Sequence, residues 1–203
     1  MRVRRVGYAE AMEFRPMDIF SRTISQPIAT DNLVLRLPTS ADIAEIVRLW
    51  DDPSFNWLFP HRYDGSPPDL ENVVALARSV VRFGSALLIR DLEGTAVGTV
   101  HLSGLWRETA EVGWYVAPEF RRRGIAKEAV RAVVLHLLEN DNLAVRARMD
   151  EANEASRGLA GSLGFSPARC DDRGSVGFTT TLQDQRDILD RDKEGLQALR
   201  PAA

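Results

Sequence analysis

The sequence predicts a single domain built on a mixed α/β sheet with an antiparallel half. Segments with apolar residues at every second position indicate strands, and segments with a 3.6-residue apolar period indicate helices. Three strand-like segments follow one another with only short loops between them, which is typical of antiparallel pairing. The predicted order of elements is β-α-α-β-β-β-α-β-α-β-β.

The first half of the chain begins with one strand and two helices. A strand is predicted over 33–37, where leucine occupies every second position, and Pro38 ends it. A helix follows from Asp42 to about Trp50, with an apolar face at 3.6-residue spacing. After a turn-rich, aromatic connection over 51–68, a second helix covers about Leu70 to Phe83.

The second half completes the sheet. Two strands, Ala86–Arg90 and Thr95–Ser103, are joined by a four-residue turn, and a third covers Ala110–Val116. A long helix is predicted from Gly124 to near Asn140. The remaining predicted elements are a strand at Leu143–Met149, a helix at Glu154–Leu163, strands at Ser166–Ala168 and Val176–Leu182, and a charged helix from Gln183 to Arg200.

The composition is that of one ordinary globular domain. The chain has 203 residues, of which 44% are hydrophobic and 27% are charged, a mixture typical of folded proteins. We predict an N-terminal appendage over 1–27, a domain over 28–183 and a C-terminal helical tail over 184–203. Because 1–27 precedes the first patterned strand, its deletion is expected to leave stability and activity largely intact.

Charge, apolar runs and cysteine content exclude several classes of protein. A formal net charge of −3 lacks the basic footprint of a nucleic-acid-binding protein. No apolar run approaches the roughly 18–20 residues that span a bilayer, and charges follow the basic N-terminus where a signal peptide needs an apolar stretch. With Cys170 as the only cysteine, no internal disulfide forms and a cytoplasmic location is expected. No His/Cys cluster has metal-ligand spacing, so no metal is expected.

The segment from Glu111 to Ala129 carries the strongest chemical signal. A strand ends at Val116 and a helix begins at Gly124, and the first backbone N–H groups of a helix lack partners and carry about half a positive charge. Gly124 and Ala126 lack bulk, so a phosphate can approach those amides. Three arginines add positive charge at the same point: Arg121, Arg122 and Arg123. The segment predicts a diphosphate site, and an ordinary strand-to-helix turn with solvated arginines is the alternative.

Three motifs resemble the GNAT superfamily of N-acetyltransferases. Arg121-x-x-Gly124-x-Ala126 resembles the family's acyl-CoA pyrophosphate loop. The run 153–165, Asn-x-x-Ser followed by Leu-Gly-Phe, resembles its signature on the next helix, and 33–42 resembles its first strand and helix start. The matches span about residues 30–182, and their particular form is similar to the ribosomal-protein alanine/serine N-acetyltransferase branch. The resemblance implies a mostly antiparallel central sheet, splayed at the cofactor site and flanked by helices.

The resemblance also implies an enzyme that moves an acetyl group from acetyl-CoA to a primary amine. The residues that it assigns to the cofactor are Tyr115, Val116, Arg121, Arg122, Arg123, Gly124, Ile125, Ala126 and Asn153. The amides of 122–126 would hold the pyrophosphate, and the backbone of 115–116 would pair with the pantetheine arm. Asn153 would contact the pantetheine or orient the thioester, and it is also a favoured residue for capping the following helix.

Acetyl transfer needs a proton acceptor for the amine and a proton donor for the thiolate. Glu111 begins the strand that leads into the loop, where the resembled branch often places a carboxylate; a solvated strand-end charge is the alternative. The family's tyrosine, seven residues after the asparagine, is replaced here by Ala160. Ser156 shares a helix face with Asn153 and is the substitute that we predict, although a small residue for close packing, or a water as donor, is also consistent with the sequence.

The acceptor is an amine whose identity the sequence leaves open. Trp57, in the aromatic connection, and His101, on its strand, are predicted to contact it, while core packing and an inert strand histidine are the alternatives. Acceptors in keeping with the resemblance are a protein N-terminus, a small metabolite amine or an antibiotic amine, and an α-amine is favoured over lysine. A non-catalytic acyl-CoA-binding sensor or subunit is the alternative function, and the apolar residues of the tail are compatible with a homodimer.

Overall fold

The computed structural model describes residues 24–58, 69–106, 109–141, 144–168, 175–181 and 183–188. The strands are β1 (Ile28–Ala29), β2 (Leu33–Arg36), β3 (Ala86–Asp91), β4 (Ala96–Trp106), β5 (Thr109–Val116), β6 (Ala144–Asp150), β7 (Ser166–Ala168) and β8 (Ser175–Thr180). The helices are α1 (Ile43–Trp50), α2 (Leu70–Phe83), α3 (Ile125–Asp141), α4 (Glu154–Ser162) and α5 (183–188). Short 3-10 helices cover Ser40–Asp42, Pro53–Leu58 and Pro118–Phe120.

The eight strands form one sheet in the order β1-β2-β3-β4-β5-β6-β8-β7. Every neighbouring pair is antiparallel except β5 and β6, which are parallel. Their parallel pairing follows from the connection, because α3 carries the chain from the end of β5 back to the start of β6. The predicted fold class, a mixed and mostly antiparallel α/β sheet flanked by helices, is therefore confirmed, with the two-residue strand β1 as an addition.

Each face of the sheet is covered by its own pair of helices. One core contains residues from α3 and α4 packed on strand residues such as Val100 and Val112. The other contains residues from α1 and α2, together with Phe55 and Tyr115. Since successive side chains of a strand point to opposite faces, Val112 and Tyr115 on β5 belong to different cores. This strand therefore contributes to both layers of the molecule.

The described ends of the chain pack into the domain more closely than the predicted boundaries imply. Ile24 is only 1% exposed and lies in the same core as Leu33 and Leu35. At the other end, the side chain of Gln185 is buried and donates hydrogen bonds to the carbonyl of Leu163 and the hydroxyl of Thr180. The predicted appendage over 1–27 and tail over 184–203 thus each include a residue that belongs to the packed domain. The rest of both segments, 1–23 and 189–203, lies outside the described residues.

A charged cluster fixes α1 against the sheet. The buried carboxylate of Asp42 accepts two hydrogen bonds from Arg36, at 2.9 and 2.7 Å, and one from Arg90 at 2.8 Å. It also accepts from the backbone N–H and the hydroxyl of Thr39, the residue before the 3-10 helix Ser40–Asp42 that leads into α1. Arg36 lowers the pKa of Asp42 well below its usual range. The aspartate is therefore charged and paired at neutral pH.

Candidate active site

The central feature of the site is a break in the sheet between β5 and β6. The two strands pair only from Thr109 to Glu111 on β5, opposite Ala144 to Arg146 on β6. Beyond Glu111 they separate, and the backbone of β5 from Val112 to Val116 has no strand partner on that side. A cleft of about 1010 Å³ occupies the gap and reaches both layers of the molecule. It is large enough for an extended ligand.

One side of the cleft is the loop between β5 and α3. The first helical hydrogen bond of α3 runs from the N–H of Glu128 to the carbonyl of Gly124. The N–H groups of the preceding helical residues, 125–127, therefore have no helical partner. Arg122 and Gly124 adopt positive φ angles of 63° and 80°, and a Cβ added to Gly124 would meet no atom within 4 Å. The loop thus presents free amides and open space, which fits an anionic group such as a diphosphate.

The side chains of the three arginines of this loop have different surroundings, and only Arg121 and Arg122 line the cleft. Arg121 turns back to the sheet, where its Nε donates to the carbonyl of Val116 at 2.8 Å and its Nη2 donates to Ser54 Oγ at 2.5 Å. Arg123 donates to the carbonyl of Glu119 at 2.9 Å and does not line the cleft. Arg122 does line the cleft, and among the described residues its side chain has no partner.

Arg121 instead joins the loop to the segment that follows α1. Its guanidinium lies 3.5 Å from the carboxylate of Asp52 and 5.7 Å from the ring centre of Tyr115. Asp52 in turn accepts hydrogen bonds from the backbone N–H and hydroxyl of Ser54. Phe55, next in the chain, stacks on Trp50 with ring centres 4.7 Å apart. Residues 52–55 are thus fastened to the end of β5 by the first residue of the loop.

The other side of the cleft is the face of β5 that carries Glu111, Gly113 and Tyr115. Gly113 lies directly opposite His101 on β4, and both residues line the cleft. Glu111 is partly buried, and its Oε1 lies 3.4 Å from Nη2 of Arg148 on β6. The hydroxyl of Tyr115 is buried. Its burial, and to a lesser extent the nearby carboxylate of Asp52, raises its pKa. A carboxylate and an arginine therefore flank the point where the strands part.

His101 is held in a buried polar chain. Its Nε2 lies 2.9 Å from the hydroxyl of Thr99, which accepts a hydrogen bond from the indole N–H of Trp50 at 3.2 Å. The rings of Trp50 and Phe55 lie against it, at centre distances of 5.2 and 6.1 Å. Burial lowers the pKa of His101 to about 3. The imidazole is therefore neutral at neutral pH, and it lines the cleft.

Helix α4 begins at the edge of the cleft. The side chain of Asn153 accepts a hydrogen bond from the backbone N–H of Ser156 at 3.1 Å, which is the capping role that its position allows. Both residues line the cleft. The hydroxyl of Ser156 has no partner among the described residues. Ala160, one turn further along the helix, is buried in the core and carries no group that can give up a proton.

Most of the residues selected from the sequence meet at this cleft. Those that line it are Glu111, Tyr115, Val116, Arg121, Arg122, Gly124, Ile125, Ala126, Asn153, Ser156 and His101. Trp57 belongs to the 3-10 helix Pro53–Leu58, but its side chain lies outside the described residues. Sequence reasoning missed Arg148 and Lys127, which also line the cleft. Arg148 alternates with buried residues on β6, so the strand pattern placed it on an exposed face without indicating that this face borders a cleft.

Two further features, a metal-binding cluster and a membrane-spanning helix, are absent from the described residues. No group of three or more His, Cys, Asp or Glu residues is arranged to hold a metal ion. None of the helices in the described ranges has the length and apolar character needed to cross a membrane.

Comparisons with known proteins place the chain in a family. Residues 32–166 match the model of the acetyltransferase (GNAT) domain family, whereas a search of the curated proteins found no match. Similar solved structures include a GNAT-family acetyltransferase from Bacillus anthracis, with 16% identity, a TM-score of 0.66, and coverage of 77% of this chain and 98% of that one.

Two other similar structures contain the acyl carrier. The ribosomal L7/L12 α-N-protein acetyltransferase RimL, in complex with coenzyme A, is 16% identical with a TM-score of 0.64, over 79% of this chain and 99% of that chain. The microcin C7 self-immunity acetyltransferase MccE, in complex with acetyl-CoA and AMP, is 15% identical with a TM-score of 0.62, over 75% and 94%. Identities this low show a shared fold, while the family match covers about two thirds of the sequence. The chain belongs to the GNAT acetyltransferases, which are acyl-CoA-dependent transferases.

Proposed function

We propose that this GNAT acetyltransferase acetylates an α-amine, on a peptide or protein N-terminus or on a small amino-acid-like metabolite, with Glu111 as the proton acceptor. The observation that carries the proposal is the position of Glu111 at the last paired residue before β5 and β6 separate. At this point the cleft on the cofactor-loop side meets the face that carries Gly113 and His101. A thioester passing through the gap would meet an amine held beside this carboxylate.

The cofactor side supports the proposal through the loop. The free N–H groups of 125–127 and the open space at Gly124 fit the pyrophosphate of acetyl-CoA. Arg122 and Lys127, which both line the cleft, add positive charge there. When bound, acetyl-CoA supplies the activated acyl group, and these residues hold and orient it. Effective positioning of two reactants is itself a large part of the catalysis of a two-substrate transfer.

The acceptor side supports proton removal by Glu111. An ammonium has no lone pair, so the acceptor must lose a proton before or during attack. The carboxylate of Glu111 is partly exposed to the cleft and can take that proton directly or through a water. The neighbouring guanidinium of Arg148, whose Nη2 lies 3.4 Å from Oε1 of Glu111, holds the orientation of the carboxylate.

The departing thiolate needs a proton, and Ser156 is the donor that we propose. Its hydroxyl lines the cleft on α4, one turn after Asn153 caps the helix, and it has no other partner among the described residues. A water held at the same place would provide an equivalent donor.

The preference for an α-amine rests on its basicity. An α-amino group has a pKa near 7.7–8.0, against about 10.4 for a lysine side chain. At pH 7 roughly a tenth of the α-amine is uncharged, but less than about one in a thousand lysine side chains is. A site with a single carboxylate as base favours the less basic amine. The α-N-protein acetyltransferase named among the similar structures acts on such a group, which supports the proposal by analogy of fold.

The experiment has two arms. Release of free CoA is measured across a panel of amines, amino-acid amides and N-terminal peptides, and one peptide carrying both amines is analysed by mass spectrometry to locate the acetyl group. We expect acetylation mainly at the α-amine. We also expect Glu111→Gln to reduce turnover about 10²–10⁴-fold, while the exposed turn variant Glu93→Gln behaves like wild type. Acetyl groups found mainly on lysine would overturn the choice of amine, and full activity in Glu111→Gln would overturn the role of Glu111.

A further inference from the structure

The hydrogen-bond chain from Trp50 through Thr99 to His101 fixes which ring nitrogen carries the proton. An indole N–H is only a donor, so the hydroxyl oxygen of Thr99 accepts from Trp50. Thr99 is buried, at 1% exposure, and its hydroxyl proton has one acceptor within reach among the described residues, Nε2 of His101. Leaving a buried hydroxyl proton unpaired is unfavourable. Thr99 therefore donates to Nε2, and the proton of the neutral imidazole lies on Nδ1.

In this arrangement the Nδ1–H of His101 is a hydrogen-bond donor that has no acceptor among the described residues. Trp50 and Phe55 pack on the ring, so its rotation is restricted. Thr99 is the single hydrogen-bond partner of the ring among the residues that the structure describes. The ring nevertheless lines the cleft. A neutral N–H that is held in place at the wall of a binding cleft suits an uncharged oxygen acceptor on a ligand.

The position of His101 relative to Glu111 suggests which oxygen that is. Gly113 lies opposite His101, and Glu111 lies opposite Ser103, so His101 and Glu111 are diagonal neighbours on one face. Diagonal positions are about 7–8 Å apart in an antiparallel pair, and Gly113, which lines the cleft beside both residues, has no side chain. When the amine of the acceptor lies beside Glu111, the atom two bonds from the amine nitrogen can therefore lie near His101. In an α-amino acyl group that atom bears the carbonyl oxygen.

We propose that His101 is a specificity-determining residue, whose Nδ1–H donates a hydrogen bond to the carbonyl oxygen adjacent to the acceptor amine. The substrate class is thereby narrowed to α-amino carbonyl compounds, meaning peptide N-termini and amino-acid amides, against plain alkylamines. The inference rests on the proposed transfer to an α-amine. It assigns to His101 recognition of the acceptor, separate from proton removal by Glu111.

The test compares two acceptors that differ in the carbonyl group, alaninamide and isopropylamine. For each acceptor, kcat/KM of a variant is divided by that of wild type, so the different basicity of the two amines cancels. His101→Ala is expected to lower the ratio about 3- to 10-fold for alaninamide, the scale of one uncharged hydrogen bond, and less than about 2-fold for isopropylamine. His101→Asn, whose side-chain amide restores a donor near the Nδ1 position, is expected to recover part of the loss. Equal losses for both acceptors, or no loss for either, would overturn the proposal.

A second measurement reads the tautomer directly and does not depend on turnover. The ring nitrogen shifts of His101 in ¹⁵N-labelled protein are expected to show the proton on Nδ1 in wild type and in Thr99→Ser. Thr99→Val removes the hydroxyl and is expected to change that signature. A proton found on Nε2 in the wild-type protein would refute the assignment. If wild type acetylates no α-amine at all, the proposed function fails, whereas the tautomer result stands separately.

Discussion

Replacing Gly124 with valine separates the strain of the loop from its proposed role in holding the cofactor. Gly124 has φ +80° and open space at its missing Cβ, so the added side chain clashes with no protein atom, and the cost is conformational. A left-handed conformation costs an L residue roughly 1–2 kcal/mol, which for a chain of this size lowers Tm by roughly 2–8 °C. Acetyl-CoA at 100 times its Kd stabilises the wild type by about 2.7 kcal/mol, or roughly 5–11 °C. In the variant we expect that stabilisation to disappear, because the valine occupies the space that the pyrophosphate needs.

Gly94 provides a matched control for this experiment. It lies in the turn between β3 and β4, with φ +86° and open space at its missing Cβ, so Gly94→Val carries similar strain at a residue that does not line the cleft. Both variants should lose similar Tm without ligand in differential scanning fluorimetry, and only Gly124→Val should lose the shift with acetyl-CoA. A Gly124→Val protein that keeps the full shift would show that the pyrophosphate lies elsewhere. Loss of the shift in both variants would mean that strain, and not the site, was measured.

Three further predictions concern stability and the loop. Asp42→Asn should destabilise the fold by about 3–5 kcal/mol in urea unfolding, whereas Asp69→Asn, at an exposed helix cap where asparagine is equally favoured, should change little. The folded-state pKa of Asp42 is lowered, so the contribution of this carboxylate to the free energy of unfolding is complete above its unfolded pKa near 3.9 and is lost as pH falls through the folded-state pKa. The difference in stability between wild type and Asp42→Asn should therefore be constant from about pH 5 to 8 and shrink in acid. Ile24→Ala should cost about 2–5 kcal/mol, and an unchanged urea midpoint would restore the predicted boundary at residue 27. Arg121→Gln should raise KM for the amine more than it weakens acetyl-CoA binding by calorimetry, whereas Arg122→Gln should mainly weaken acetyl-CoA binding; the reverse pattern would contradict the observed contacts.

Local sequence signals predicted the strands, helices and loop well because each depends on neighbouring residues. Period-2 and period-3.6 patterns, the proline after β2 and the glycine before α3 are properties of a few adjacent positions. The cap formed by Asn153 is equally local, since it closes on Ser156 three residues later. By contrast, the separation of β5 from β6 was expected only from the resemblance to the GNAT superfamily, because no local pattern indicates where two strands that are distant in sequence separate.

The features that the sequence did not predict depend on contacts between distant segments. Arg121 meets Ser54, 67 positions earlier in the chain, so three adjacent arginines look equivalent until the fold separates them. Ile24 lies in a stretch without a regular period, yet the sheet covers it. Two arginines alternate on β6; Arg146 is the register partner of Glu111, but Arg148 is the one that lines the cleft. Periodicity identifies the face that a residue occupies, while tertiary packing decides what that face borders.

The contact of Arg121 with Ser54 and Val116 has a thermodynamic consequence for the two substrates. One side chain belongs to the loop on which the nucleotide end of the donor is proposed to rest, and it also holds residues 52–55, of which Ser54 lines the cleft. If a bound donor tightens this contact and so favours the acceptor, the acceptor must raise the affinity of the donor by the same factor, because binding linkage is reciprocal. Under that condition, a substitution in residues 52–55 that changes the affinity for the acceptor also changes the affinity for acetyl-CoA.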